Sequence, residues 1–448
     1  MPSKWEKLAG ETGEEVPSGR LGRMFKLGSL GLTVGASAVA GAVGDKILPG
    51  SDKRKKARAE KNAERVVKVL GRLKGASMKV GQIISADPEM VPDEFADILS
   101  SLQSSAPPMT YNTVRAELEA AFDMPLDSVF KFFDPEPIGS ASIGQVHRGT
   151  LHTGEDVAVK IQYPGVAKSL ESDLKNLGSL MGLTRAVIDK QRVDDYVEEC
   201  RRAILEEADY TIEAANLERA ASDLGERPQV RVPKPFREWT RSNVITMEFI
   251  EGRKLDEALA ELGDTPRRQE ILERFLALYV WMFHERFELH SDPHPGNFLL
   301  DQDDNLVVLD FGCVKVFEPE FADGILKILV SVWEGDDEQA ARLYKELGFG
   351  KEGADDSIYD PDLIHDYHDI ILAPFTTEGP FSFGDWRVQT EAKRFFLSNP
   401  KMLKLTPPKD ALLYFRVLSA IKGLFMKLDA QVDTHHLAVE TARRRGLL

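Results

Sequence analysis

The residues best suited to chemistry lie in one stretch, His290-Ser291-Asp292-Pro293-His294-Pro295-Gly296-Asn297, followed by an apolar run and then Asp310-Phe311-Gly312. Asp292 and Asn297 have the spacing of the pattern H-R-D-x-x-x-x-N. In a loop of that form the aspartate orients or deprotonates an attacking hydroxyl, the asparagine holds a magnesium ion, and D-F-G supplies the other metal-binding carboxylate. An acceptor hydroxyl and a metal must sit on opposite sides of a transferred phosphoryl group, and a rigid loop followed by a strand achieves this. A chance D-F-G is common; one that closes a strand shortly after H-x-D-x-x-x-x-N is not. Asp292 is thus expected to be catalytic, with Asn297 and Asp310 as ligands of Mg2+.

Upstream, Val157-Ala158-Val159-Lys160 resembles the V-A-I-K strand of protein kinases, whose lysine contacts nucleotide phosphates and pairs with a glutamate on a following helix. A strand ending in lysine is unremarkable alone. With the downstream loop in the right order, Lys160 is expected to bind the nucleotide. Its partner must come from the helix holding Glu206, Glu207, Glu213 and Glu218, and periodicity does not choose among the four. The loop before it, Pro137 to Gly144, includes Gly139, Ser140, Ala141 and Ser142, which stand where an ordinary kinase has G-x-G-x-x-G. Small residues still admit phosphate to backbone amides, but fewer glycines make a stiffer loop. No A-P-E follows Asp310, and Lys315 to Glu334 reads as immediate helix, so no shelf for a peptide substrate is evident.

The elements that must position these groups can be read from periodicity. Residues 55 to 127 are helical, with Val114, Leu118 and Phe122 on one face of a helix starting near Thr110. Strand-like runs Ser142 to Arg148 and Asp156 to Gln162 flank a turn and predict an antiparallel hairpin. Long helices are expected from about Val166 to Asp189 and Asp194 to Leu224, a strand over Asn243 to Phe249 that includes Glu248, and a mainly helical remainder interrupted by Leu306 to Asp310. The expectation is an α+β, two-lobed protein-kinase-like fold with an N-terminal helical extension. Its parts are a charged tail over 1–26, a Gly/Ala-rich segment over 27–48, the extension over 55–127, an N-lobe over 128–250 and a C-lobe over 251–448, with a cleft between the lobes.

Composition narrows the classes. A net charge of -16 over 448 residues repels nucleic acid, and Cys200 and Cys313 are too few for a disulfide framework, which suggests a reducing compartment. Arg20, Arg23 and Lys26 precede an uncharged stretch from Leu27 to Gly44. It reads as a cleaved signal, a membrane-associated segment or a plain surface segment; the second is the expectation. Gly31 and Gly35 form GxxxG, which would let two copies pair as a homodimer. The basic run Lys53 to Lys61 would suit anionic lipid or a solvated helix start.

Nearly the whole chain, from about Val16 onward, resembles the UbiB/AarF family of atypical kinase-like proteins associated with ubiquinone biosynthesis. The resemblance rests on Lys79-Val80-Gly81-Gln82 for K-x-G-Q, the small-residue loop Gly139 to Ser142, Glu207-Ala208-Asp209 for E-x-D, and the H-x-D-P-H-P-G-N-F and D-F-G stretches. It implies that the K-x-G-Q helices cover the place where a peptide would bind, that Lys79 and Gln82 reach the phosphates, that Lys79 pairs with Glu207, and that Glu213 partners Lys160. Asp209 and Glu248 join the expected nucleotide contacts. ATP or ADP with Mg2+ is the implied cofactor; an isoprenoid lipid, a quinone intermediate or anionic membrane lipid is the implied partner. The location would be cytoplasmic, at the inner face of the cell membrane. Two functions follow: an ATP-dependent kinase or ATPase serving quinone or isoprenoid-lipid metabolism, or a nucleotide-gated scaffold of a biosynthetic complex. The family loop is usually richer in alanine, whereas Gly139 and Ser140 stand at two of those positions here.

Overall fold

The computed structural model describes residues 108–141, 143–167, 170, 201–202, 205–206, 208–225, 227, 229–351, 353–408 and 411–448. Lys79, Gln82, Ser142, Glu207 and the segment Leu27 to Gly44 lie outside them. The chain divides into two compact units, Met1–Ser222 with Pro233–Ile250, and Asp223–Val232 with Glu251–Leu448.

The first unit is an antiparallel four-stranded sheet in the order β1 (Phe130–Ala141), β2 (Gly144–Leu151), β3 (Asp156–Gln162), β4 (Val244–Glu248). Alternation along β3 sends Val157, Val159 and Ile161 into a core shared with Val114, Leu118 and Phe122 of helix α1 (Tyr111–Phe122). Thr110 caps α1 by accepting from the Thr113 amide. Lys160, between these apolar positions, faces the other side. Pro135 and Pro137 are tolerated because β1 is the edge strand, and its pairing with β2 is irregular between Phe133 and Pro137 and again before Gly139. The expected helix from Asp194 to Leu224 is broken at Ala208-Asp209. The Asp209 carboxylate accepts from the Thr211 amide (3.0 Å) and hydroxyl (2.6 Å), starting a new helix, α2 (Tyr210–Leu224).

The second unit opens with β5 (Gly252–Lys254), α3 (Leu255–Leu262) and α4 (Pro266–His284). Helix α4 is capped by Thr265 with proline at its first position, and it buries Ile271, Leu272, Phe275, Leu278, Tyr279 and Phe283. The strands β6 (Glu288–His290), β7 (Phe298–Asp301), β8 (Leu306–Val308) and β9 (Val314–Val316) follow. The short strand Val230–Arg231, β8, β7 and β5 form one sheet, and β6 pairs antiparallel with β9. The region after Gly252 therefore holds more strand than its sequence suggests. Lys315 and Val316 are strand rather than helix: Lys315 pairs with Leu289 and Val316 with Glu288. Helix α5 (Pro319–Glu334) begins only at Pro319, whose fixed φ suits a first turn. Helices α6 (Asp337–Glu346), α7 (Pro361–Ile371), α8 (Val388–Ser398), α9 (Leu412–Lys427) and α10 (Thr434–Arg444) complete the unit around aromatic and aliphatic cores. Among the described residues, no helix is long and apolar enough to cross a membrane.

Candidate nucleotide site

In the first unit, Lys160 sits mid-strand, paired with Val146 on β2 and Ile245 on β4, and is only 4% exposed. Its Nζ donates to both carboxylate oxygens of Glu213, each at 3.0 Å, and lies 4.9 Å from the Tyr210 ring centroid. Glu213 is on the first turn of α2 and 1% exposed. Among the described glutamates left open by periodicity, Glu213 is placed on Lys160, in agreement with the pairing implied by resemblance. The start of α2 is fastened to the sheet by Gln162, whose Nε2 donates to Ala208 O (2.8 Å) and Ser242 O (3.2 Å), while the Tyr210 amide donates to Ser242 O at 2.9 Å. A burial this deep is favourable for two charges only when they are matched in this way.

Gly139, Ser140 and Ala141 form the end of β1, opposite Val146, Gln145 and Gly144. Gly139 has open space where a Cβ would stand, whereas a Cβ on Gly144 would lie 2.1 Å from Ile161 O; close strand approach requires glycine at 144. Beneath the loop, Gln145 Oε1 accepts from the Met109 amide (2.7 Å), and Gln145 Nε2 lies 2.7 Å from His147 Nε2. His147 Nδ1 is 2.8 Å from Asp134 O, which can only accept, so Nδ1 carries the proton and Nε2 accepts from Gln145. Burial lowers the His147 pKa and favours this neutral form. Glu248, at the end of β4, takes Lys234 through its backbone and its carboxylate, and Asp209 serves as the start of α2.

In the second unit, β6 delivers His290 and the short turn Pro295–Asn297 delivers Asn297. The loop is fixed from several sides. The Asn297 amide nitrogen Nδ2 donates to Asp292 O at 3.1 Å, the Leu309 amide donates to Asn297 O at 2.9 Å, and the Ser291 amide donates to Cys313 O at 3.0 Å. His290 Nε2 is 2.5 Å from Asp310 O; since a carbonyl only accepts, Nε2 donates and Nδ1 accepts from the Tyr279 hydroxyl at 3.2 Å. Asp310 Oδ1 accepts from the Gly312 amide at 2.7 Å, and Phe311 packs edge-on against His290 with centroids 5.4 Å apart. Arg416 of α9 donates to Ser291 O at 2.8 Å. The sequence reading missed Tyr279, Arg416 and Gln162, because no spacing ties them to the motifs.

The chemistry of this donor set fits magnesium. With Nδ2 engaged, Asn297 retains its amide oxygen, and Asp310 adds a carboxylate; Mg2+ takes one or two such hard oxygen ligands and completes its shell with water and phosphate. Among the described residues no group of three or more His, Cys, Asp or Glu could hold a metal on its own.

Residues 101–344, more than half of the chain, match the ABC1 atypical kinase-like domain. The chain belongs to this family. As an ABC1-family chain of the COQ8/UbiB type it has the kinase-like α+β fold. It is 30% identical over 442 residues to "Atypical kinase coq-8, mitochondrial" of Caenorhabditis elegans, covering 93% of this chain and 56% of that protein. It is 28% identical to "Atypical kinase COQ8B, mitochondrial" of Rattus norvegicus, covering 96% and 82% respectively. With the chloroplastic "Protein ACTIVITY OF BC1 COMPLEX KINASE 7" of Arabidopsis thaliana it shares 32% identity over 64% of this chain and 41% of that one. The chain thus spans about half the length of the worm and plant relatives. A solved structure, "The complex structure of Rv3197-erythromycin from Mycobacterium tuberculosis", superposes with a TM-score of 0.62 at 28% identity, covering 88% of this chain and 98% of that one. The names of these relatives place the worm and rat proteins in mitochondria and the plant protein in chloroplasts.

Proposed function

We propose that this ABC1-family chain is an atypical kinase or ATPase that acts on the γ-phosphate of magnesium ATP at a membrane, in support of quinone or isoprenoid-lipid metabolism. The observation that carries the reading is the fastening of the Asp292–Asn297 loop: its asparagine is tied to the aspartate's own carbonyl, and His290 is tied to Asp310. Such rigidity favours groups that must be in place before charge develops on a transferred phosphoryl group.

In this reading Lys160, held by Glu213, takes the α- and β-phosphates, and Asp292 orients a hydroxyl or water in line with the leaving oxygen. Asn297 and Asp310 would hold Mg2+, which neutralises charge on the phosphate oxygens. Gly139 to Ser142 would cover the phosphates, and Lys79, Gln82 and Glu207 would complete the nucleotide contacts. The membrane and the quinone or isoprenoid partner rest on family membership and on the composition of Leu27 to Gly44; pairing through Gly31 and Gly35 belongs to the same proposal.

Phosphate release from magnesium ATP by the full chain, with anionic liposomes, neutral liposomes or none, tests it. Release stimulated by anionic vesicles is the expected result. Intact nucleotide binding with no release under any of the three conditions would replace the enzyme with a nucleotide-gated scaffold.

A further inference from the structure

In the first unit, Gln145 and His147 are polar side chains of β2 that are 1% and 0% exposed. They stand opposite Ile161 and Val159 of β3, which enter the core, whereas Val146 between them stands opposite Lys160. Gln145 and His147 therefore lie on the face of the sheet away from Lys160, and a nucleotide held by Lys160 does not touch them. Polar groups buried this deeply cost stability unless each is matched.

The match is a relay with one direction. The Met109 amide, where the chain enters α1, donates to Gln145 Oε1 at 2.7 Å. That turns Gln145 Nε2 onto His147 Nε2, 2.7 Å away, to which it can only donate. His147 Nδ1 then donates to Asp134 O at 2.8 Å, and the ring stacks on Phe133 with centroids 5.2 Å apart. Each link fixes the next, so the relay is complete in one orientation of Gln145 and one neutral tautomer of His147. Its far end meets the irregular part of β1. Pairing with β2 shifts register between Phe133 and Pro137 and again between Pro137 and Gly139, so two breaks separate Gly139, Ser140 and Ala141 from the start of the strand. Asp134 lies within the first break, and Gln145 stands opposite Ser140. The relay thus bridges both breaks and fastens them to the entry of α1.

We propose that Gln145 and His147 are positioning residues for the nucleotide: the relay from Met109 to Asp134 sets the end of the β1–β2 hairpin, and with it the backbone of Gly139 to Ala141 over the phosphates. This rests on the reading of Lys160 and the hairpin end as a nucleotide site. Both side chains are buried behind the sheet, so they act on the nucleotide only through the hairpin they hold.

The test measures binding of a fluorescent, non-hydrolysable magnesium ATP analogue to the full chain at about pH 9 and about pH 6, on either side of the ordinary histidine range, with urea unfolding alongside. Gln145→Met removes both of the glutamine's links and should weaken binding about tenfold relative to wild type at both pH values, roughly one hydrogen bond's worth. Gln145→Glu keeps the shape. Its carboxylate still accepts from Met109 but has no proton to share with His147 Nε2, and one proton added to the pair, on either member, completes the relay again. The charged groups already facing His147 are Asp134 and Glu136 of β1, while β3 sets Val159 opposite it. Gln145→Glu should therefore bind about tenfold more weakly than wild type at the higher pH and return toward wild type at the lower one. Wild-type affinity in Gln145→Met, even with a lower urea midpoint, would make the relay a support of stability alone and overturn the proposal. A Gln145→Glu affinity in the same ratio to wild type at both pH values would also overturn it. If Gln145→Met does not fold, Gln145→Glu still decides. A wild-type chain that binds no analogue overturns the nucleotide reading itself, whereas a wild type that binds it beside unaffected variants overturns only the role of the relay.

Discussion

Lys160 and Glu213 are a buried pair in which each charge is tolerated because the other is present. Replacing Lys160 by Met leaves a carboxylate that is 1% exposed without its ammonium, and should destabilise the first unit by about 3–5 kcal/mol in urea unfolding. Glu213→Met should cost a similar amount, and the double variant much less than the sum; strict additivity would show that the two side chains do not act as a pair. Two histidines make a second residue-scale prediction. His284 and His368 are both pushed down to about 4 by burial, and His368 Nδ1 is buried without a hydrogen-bond partner. Unfolded histidine takes a proton near pH 6.5. Between about 6.5 and 4 the unfolded chain therefore binds more protons than the folded one, so stability falls as the pH drops through that window and is fully regained above it. Thermal unfolding from pH 7 to 4 should show this slope, and His368→Gln should reduce it; an unchanged slope would contradict the assignment. At this scale the sequence was most legible where spacing is local: Asp292, Asn297 and Asp310 were found from their own motif. Tyr279, 11 positions before His290, and Arg416, 125 positions after Ser291, support the same loop from helices with no signature.

Elements were legible where apolar period and turn chemistry agreed. Helix α1 starts at its Thr110 cap and buries the expected face, and β2 and β3 form the expected hairpin. The failures were local signals overruled by pairing or by caps. Lys315-Val316 continues into a helical pattern, yet pairing with β6 holds it as strand until Pro319. Asp209 is one more polar residue in an amphipathic run until its carboxylate is seen to bond Thr211 and end one helix to begin another. The loop glycines give the element-scale prediction. Gly144→Ala must push β2 from β3, because its Cβ would stand 2.1 Å from Ile161 O, and should lower stability by about 2 kcal/mol or more. Gly139→Ala meets open space and should leave the melting temperature within about a degree, since unconstrained surface changes stay near ±0.5 kcal/mol. Comparable losses in both would contradict the strand geometry.

For the whole molecule, the net charge of -16 gives no support to a nucleic-acid partner, and motif order carried the kinase-like fold, which family membership now supports. The acceptor was not legible, because the motifs with readable spacing are those expected at a nucleotide and a metal, not at the second substrate. Whether the Asp292–Asp310 region of this chain performs phosphoryl chemistry decides between an enzyme and a nucleotide-gated scaffold. The most direct measurement is single-turnover phosphate release from ATP, with and without magnesium, by the wild-type chain, Asp292→Ala and Asp310→Asn. Release that requires magnesium and falls at least about 100-fold in both folded variants is the predicted result. Release that persists in Asp310→Asn at the wild-type rate would contradict it.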